Sequence, residues 1–390
     1  MNKTKRKKQN IRQNKTMKMK TREKSIVLSN NTPIKIKKIS KEIDNFFAKG
    51  NDSYSPTINN ELVTLKSIPI NTLYDCNNKE AFELKEPLKI GIPGKIFGKS
   101  CVLYNTPEAK KFLLQNLAAS KHINTNNIVP PIQSQSNCWF NSMFVTFFVS
   151  DKGRKFFHFF RQLMIEGKQK GGSLIPLQLR DAFALLNFGI DACLTGNKYA
   201  YELNTNSIIH KLYTGIPNNY KSKYPLIVDV DNAGNPIIYY MSIINYLNNN
   251  SIQTLFLREI SSNWKNVAVL YMKKMKHLPH IVIMEIFEKD AINFTKKPLT
   301  FTINNARYKL DSTVVRDTTK QHFCATITCE NKEYGYDGMS FSRLTQLEWK
   351  NKLNSSNFTW KFQGSNNSDG TPLEWNYTKC YQLLLYYRIN

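Results

Sequence analysis

No Cys-x-x-Cys pair occurs in this chain, and its seven cysteines (Cys76, Cys101, Cys138, Cys193, Cys324, Cys329 and Cys380) are odd in number. Neither a zinc ribbon nor a disulfide framework is expected, and a reducing, intracellular compartment fits best. Long apolar runs are also missing. The most apolar stretch, Met143 to Val149, is far shorter than the ~20 residues a membrane span needs, and Asp151 and Lys152 end it, so a soluble protein with no membrane partner is expected. Acids are nearly absent from the opening: through Lys38 the chain carries 14 Lys or Arg against the single acid Glu23, a net +13 of the whole chain's +26. Without an apolar run to offset its ordering entropy, this segment is expected to be a disordered basic tail, and it lacks the features of a signal peptide. Counterion release would let it bind nucleic acid or another polyanion, and Lys5–Lys8 fit a nuclear address.

What is present patterns as an α+β protein of 390 residues, long enough for a full core. Residues 1–38 are the tail, 39–129 an N-terminal extension and 130–390 the main domain. In the extension, "KIGIPGKIFGKS" predicts short strands punctuated by Gly91, Pro93, Gly94 and Gly98. "TPEAKKFLLQNLAASKHI" predicts a helix capped by Thr106, with Phe112, Leu113, Leu114 and Leu117 on one face. Prolines 130 and 131 keep the chain extended up to the next helix, whose positions from Trp139 to Val149 are almost all apolar and hence buried on every side. Lys152 to Gly167 reads as an amphipathic basic helix and Ala182–Cys193 as a short one. From Pro225 onward the runs read as strands: "YPLIVDVD", "NPIIYYMSII", "NVAVLYMKKM", "HIVIMEIFE", "LTFTIN", "ARYKLDSTVV", "HFCATITCE", "KEYGYDG" and "YQLLLYYRI". The abundance of Asn, Lys and Ile points to an A/T-rich genome, such as that of a parasite or a large DNA virus.

The chemistry centres on "QSQSNCWFNSMFVTFF", which puts Cys138 between an amide-rich approach and an aromatic helix. A thiol in the first turn of a helix is favoured as thiolate by the positive end of the dipole. Of the six histidines, His122, His158, His210, His277, His280 and His322, the last has the best local case. It opens a strand that turns at Glu330–Lys332 and returns to Asp337, bringing carboxylate and imidazole side by side as nucleophile, base and orienter. His158, amid Phe156, Phe157, Phe159 and Phe160, reads as packed against aromatics. Cys324 and Cys329 fall on opposite strand faces, which argues against a shared metal, and no cofactor is expected. An oxyanion is served by the Cys138 N–H and an upstream amide, Gln133 first and Gln135 second.

These residues resemble the ubiquitin-specific protease family of papain-like cysteine peptidases. "SNCWFNSM" is similar to its cysteine box, "HLPHIVIMEIFE" to its Leu-Pro strand, "YKLDSTVVRDTTKQHFCATITCENKEYGYDG" to its histidine box and "YQLLLYYRI" to its closing strand, over roughly residues 130–390. The resemblance implies a papain-like fold, a catalytic set of Cys138, His322 and Asp337, and hydrolysis of the bond after the C-terminal glycine of ubiquitin or a ubiquitin-like protein. Gln133 stands where the family has an oxyanion asparagine. The family's Gln-Gln-Asp helix finds no counterpart between Lys168 and Tyr213, and its zinc-bearing fingers are missing. Residues 89–168 also resemble a protein shared among giant DNA viruses. That implies a host cytoplasmic or nuclear, or virion-packaged, setting. Two alternatives follow: an endopeptidase maturing virion polypeptides, and a catalytically dead virion protein that associates with nucleic acid.

Overall fold

A computed structural model describes residues 76–389, apart from 94–97, 120–122, 169–173, 226, 231, 248–253, 259–262, 276–277 and 295. The basic tail, His122 and His277 lie outside the described residues. The first described unit is a hairpin of β1 (Lys89–Pro93) and β2 (Lys99–Leu103), followed by the helix Pro107–Ala119, whose start is capped where Thr106 Oγ1 accepts the Ala109 N–H at 3.3 Å. Its Phe112, Leu113 and Leu117 share one apolar core with the Cys138–Phe148 helix, so the described part of the 39–129 segment packs onto the main body.

The main sheet is mixed. Its strands are β3 (Thr254–Leu257), β4 (Ile281–Ile286), β5 (Thr300–Ile303), β6 (Ala306–Arg316), β7 (Phe323–Cys329), β8 (Lys332–Tyr336), β9 (Leu344–Gln346) and β10 (Gln382–Arg388). They run in the order β3-β4-β10-β6-β7-β8-β9, with β5 beside β6; β3 and β4 are parallel and the other pairs antiparallel. Each face of the sheet has its own core. Ile281, Ile283, Leu383, Leu385 and Tyr387 face the helices, whereas Val282, Met284, Leu384 and Tyr386 face a second core with Trp349, Trp360 and Trp375. Burial on both faces explains why "IVIM" and "LLLYY" are unbroken apolar runs rather than alternating ones. Cys324 falls in the second core and Cys329 in the first, on opposite faces as the spacing predicts.

Six expectations need correction. Cys76 and Cys101 form a disulfide with Cα atoms 5.7 Å apart, because the β1–β2 hairpin brings residue 101 back beside the segment that precedes β1. "NPIIYYMSII" and "NVAVLYMKKM" are helices, Pro236–Tyr246 and Trp264–Lys274. In the first, Asn235 Oδ1 accepts the N–H groups of Ile237 and Ile238 at 3.1 Å and Pro236 opens the first turn, so capping overrides β-propensity. In the second, the buried residues Trp264, Ala268 and Met272 repeat every fourth position, a helical period. The described residues of "YPLIVDVD" form no strand. The segment read as one amphipathic basic helix is two, Asp151–Phe156 and His158–Glu166, and both are mostly buried. Their arginines are internal and paired: Arg154 with Glu330 at 2.6 Å and Asp151 at 3.2 Å, Arg161 with Asp191 at 2.5 Å. The "short" helix around Ala182 runs over 19 residues, Leu177–Thr195. No helix among the described residues is long and apolar enough to cross a membrane.

Candidate functional site

Cys138 is the first residue of a helix that is buried at every position and packs against β7 and β6. Asn137 in front of it makes no side-chain cap. Its amide donates instead to Thr205 Oγ1 at 3.0 Å, and that hydroxyl donates to Asn141 Oδ1 at 2.7 Å. The first-turn N–H groups therefore keep their positive end at the sulfur.

The approach to Cys138 is stitched to the far end of the β7–β8 hairpin. The two prolines have no N–H to give, so their carbonyls carry the bonding: Arg343 Nη1 donates to Pro130 O at 2.6 Å and Tyr336 Oη to Pro131 O at 2.7 Å. One residue on, Asn141 Nδ2 donates to Ile132 O at 3.1 Å, and the Gln133 N–H to Gly338 O at 2.9 Å. A Cβ on Gly338 would come within 3.0 Å of Gln133 N and of Tyr336 Oη, so glycine is what lets the two loops meet. From the other side, Asn206 Nδ2 donates to Ser134 Oγ at 2.8 Å. Thr205 and Asn206 open the helix Thr205–Gly215, in the stretch where the sequence shows no counterpart of the family helix.

β7 and β8 are joined by a two-residue turn, Glu330–Asn331, with both residues at positive φ, which suits the twist of a tight hairpin. The register pairs Ala325 with Tyr336 and so brings the residues just outside it together: His322 Nε2 lies 2.7 Å from Asp337 Oδ1. The ring's other nitrogen, Nδ1, is not engaged by Asp337, and Cys138 lies within electrostatic reach of the imidazole. His322 is 4% exposed, Asp337 0% and Cys138 9%, so the set is nearly enclosed, with Cys138 the least buried of the three. Burial alone would push the imidazole toward its neutral form; the bonds and charges of Asp337 and Cys138 outweigh it and hold the pKa up at about 10.

Asp337 has further partners the sequence did not reveal. Met339 N–H donates to Oδ1 at 3.0 Å, and the buried Ser365 hydroxyl donates to Oδ2. Trp375 presents an edge to the His322 ring, with centroids 5.9 Å apart. Ser365 and Trp375 come from an irregular, polar segment with no periodicity to flag them. Of the two amide candidates, Gln133 has its Oε1 buried with no hydrogen-bond partner, whereas Gln135 is exposed. The remaining free thiols, Cys193, Cys324, Cys329 and Cys380, are all pushed up by burial, Cys380 to about 11. His210 pairs with Asp229 at 2.9 Å, but on an exposed face. His158 is fully buried beside its phenylalanines. Among the described residues no group of three His, Cys, Asp or Glu side chains is placed to hold a metal.

What such an arrangement can do is nucleophilic: a thiol at a helix start, an imidazole near it and a carboxyl group orienting the ring. No family model matches the sequence, and no curated protein matches it. Among solved structures, the fold is similar to a SAGA DUB module with Ubp8 bound to monoubiquitin, at a TM-score of 0.39 and 10% identity over 67% of this chain and 69% of that one. It is also similar to an essential yeast splicing factor, at 0.35 and 10% over 68% and 70%. Likenesses at this level carry no argument about activity.

Proposed function

We propose that this chain is a thiol-dependent hydrolase that cleaves the peptide or isopeptide bond after the C-terminal glycine of ubiquitin or a ubiquitin-like protein. The observation that carries the reading is the 2.7 Å bond from His322 Nε2 to Asp337 Oδ1, with Cys138, at the start of its helix, within electrostatic reach of the same ring. In this reading the Cys138 thiolate attacks the scissile carbonyl carbon, and the developing oxyanion is met by the Cys138 N–H and the Gln133 amide. The His322 imidazolium gives its proton to the leaving nitrogen as the C–N bond breaks, leaving a thioester. Water then attacks the thioester while neutral His322 takes its proton, and the thiolate departs. Asp337 holds the ring throughout. The preference for ubiquitin rests on the sequence resemblance of residues 130–390.

The test is incubation with ubiquitin carrying a C-terminal electrophile. A covalent adduct on Cys138, lost in Cys138→Ala, supports the proposal. No adduct, with iodoacetamide still labelling Cys138 ahead of the other thiols, would retain the nucleophile and direct the search to other polypeptides. Absence of both would sink the catalytic reading.

A further inference from the structure

His322 is gripped at two places, and only one of them is its ring. Asp317, 1% exposed, follows β6 and folds its carboxylate back over the turn that leads into β7. Its Oδ1 accepts the N–H groups of Gln321 at 2.7 Å and His322 at 2.6 Å; its Oδ2 accepts the Thr319 N–H at 2.6 Å and the Thr319 hydroxyl. The main chain closes the same loop, with Asp317 N–H donating to His322 O at 2.8 Å and Lys320 N–H to Asp317 O at 3.0 Å. One buried carboxylate thus collects four donors from the five residues after it. The turn contains no glycine, and Lys320 sits at φ 66, a left-handed conformation that persists where surrounding bonds over-determine it.

The outside of the turn is tied to the segment that serves the ring. Thr318 N–H donates to Glu374 O at 2.9 Å, and Thr319 Oγ1, whose hydrogen goes to Asp317, lies 3.4 Å from Asn367 Oδ1. Ser365 and Trp375, which touch Asp337 and the His322 ring, belong to the same stretch.

We propose that Asp317 is a positioning residue, fixing the main chain of His322 so that the ring stands in line between Cys138 and Asp337. The inference rests on the reading of those three as the catalytic site. Bonds to an ionised acceptor are about twice as strong as neutral ones, so this clamp is stiffer than a backbone turn alone. Misplacement of a reacting group by ~1 Å can cost on the order of a hundredfold in rate. The titratable groups around the imidazole are Cys138 from the helix and Asp337 from the end of β8. Cys324, on β7, lies within the electrostatic reach of both Asp337 and Asp317.

The experiment compares the full chain with Asp317→Asn and Thr319→Val. It uses thermal unfolding, kcat and KM on a ubiquitin C-terminal amide reporter, the pH–rate profile and the NMR titration of His322. Asn keeps the Oδ1 bonds but puts an NH2 in place of Oδ2, which loses the Thr319 N–H bond and reverses the one to the Thr319 hydroxyl, so Asp317→Asn should stay folded, keep KM, lose roughly tenfold or more in kcat and shift the His322 midpoint downward. Thr319→Val, which removes only the hydroxyl donor, should show the same shift in smaller measure. A purely structural role would lower the unfolding temperature and leave kcat of the folded protein, the pH profile and the midpoint unchanged; that result overturns the proposal. If Asp317→Asn does not fold, Thr319→Val decides by the same readouts. If the wild-type chain has no activity, the hydrolase reading falls separately, and an unchanged His322 midpoint in the variants still overturns the role of Asp317.

Discussion

A hydroxyl-to-hydrogen change at Ser365 would leave Asp337 Oδ2 buried without its donor. An uncompensated buried acceptor costs about 1–3 kcal/mol, so Ser365→Ala should lower both the unfolding temperature and the rate of adduct formation at Cys138. Ser365→Thr, which restores the hydroxyl, should recover part of the rate. The pH response follows from His322. Its folded pKa of about 10 lies above the ordinary value of 6.5, so the imidazolium is present throughout neutral pH and is lost as pH rises through 10. Cys138 adduct formation should therefore hold across neutral pH and fall near pH 10. Replacing Asp337 with Asn removes the strongest support for the cation and should move that fall toward neutrality. Loss of the limb at pH 7 in the wild-type chain would contradict this account.

Among the elements, the helix Pro236–Tyr246 depends on Asn235 most directly. The same amide caps its first turn, and Nδ2 reaches Tyr381 Oη at 3.0 Å, which in turn donates to Glu285. Asn235→Ala should cost about 0.5–2 kcal/mol, measured as a shift in the denaturant midpoint. The β-branched and aromatic run behind Asn235-Pro236 predicts a strand; local capping and tertiary packing decide otherwise. The hairpin carrying His322 and Asp337 was legible because its arms alternate and its turn residues tolerate positive φ. Ser365, 28 residues beyond Asp337, had no such pattern, and Asp317 lies in a polar stretch, "RDTTKQH", that has none either. The disulfide between Cys76 and Cys101 was missed because pairing depends on Cα separation, which spacing alone does not give.

At the scale of the whole molecule, half of the +26 charge lies in residues 1–38, outside the described residues, and two of the remaining arginines are internal. Any affinity for DNA should show a steep salt dependence and largely vanish when 1–38 are removed; a truncated chain that keeps the full slope would place the binding on the folded part. The described body is tied at both ends of one hairpin. At one end His322 meets Cys138. At the other, Asp151 accepts the N–H groups of Glu330 and Asn331 at 2.7 and 3.1 Å, just beyond the helix that begins with the sulfur. Helix and hairpin consequently form a closed frame without a hinge between thiol and imidazole. Heating should abolish labelling of the sulfur and cooperative melting at one shared midpoint, and an inhibitor of this protein must obstruct the doorway rather than pull the reacting pair apart.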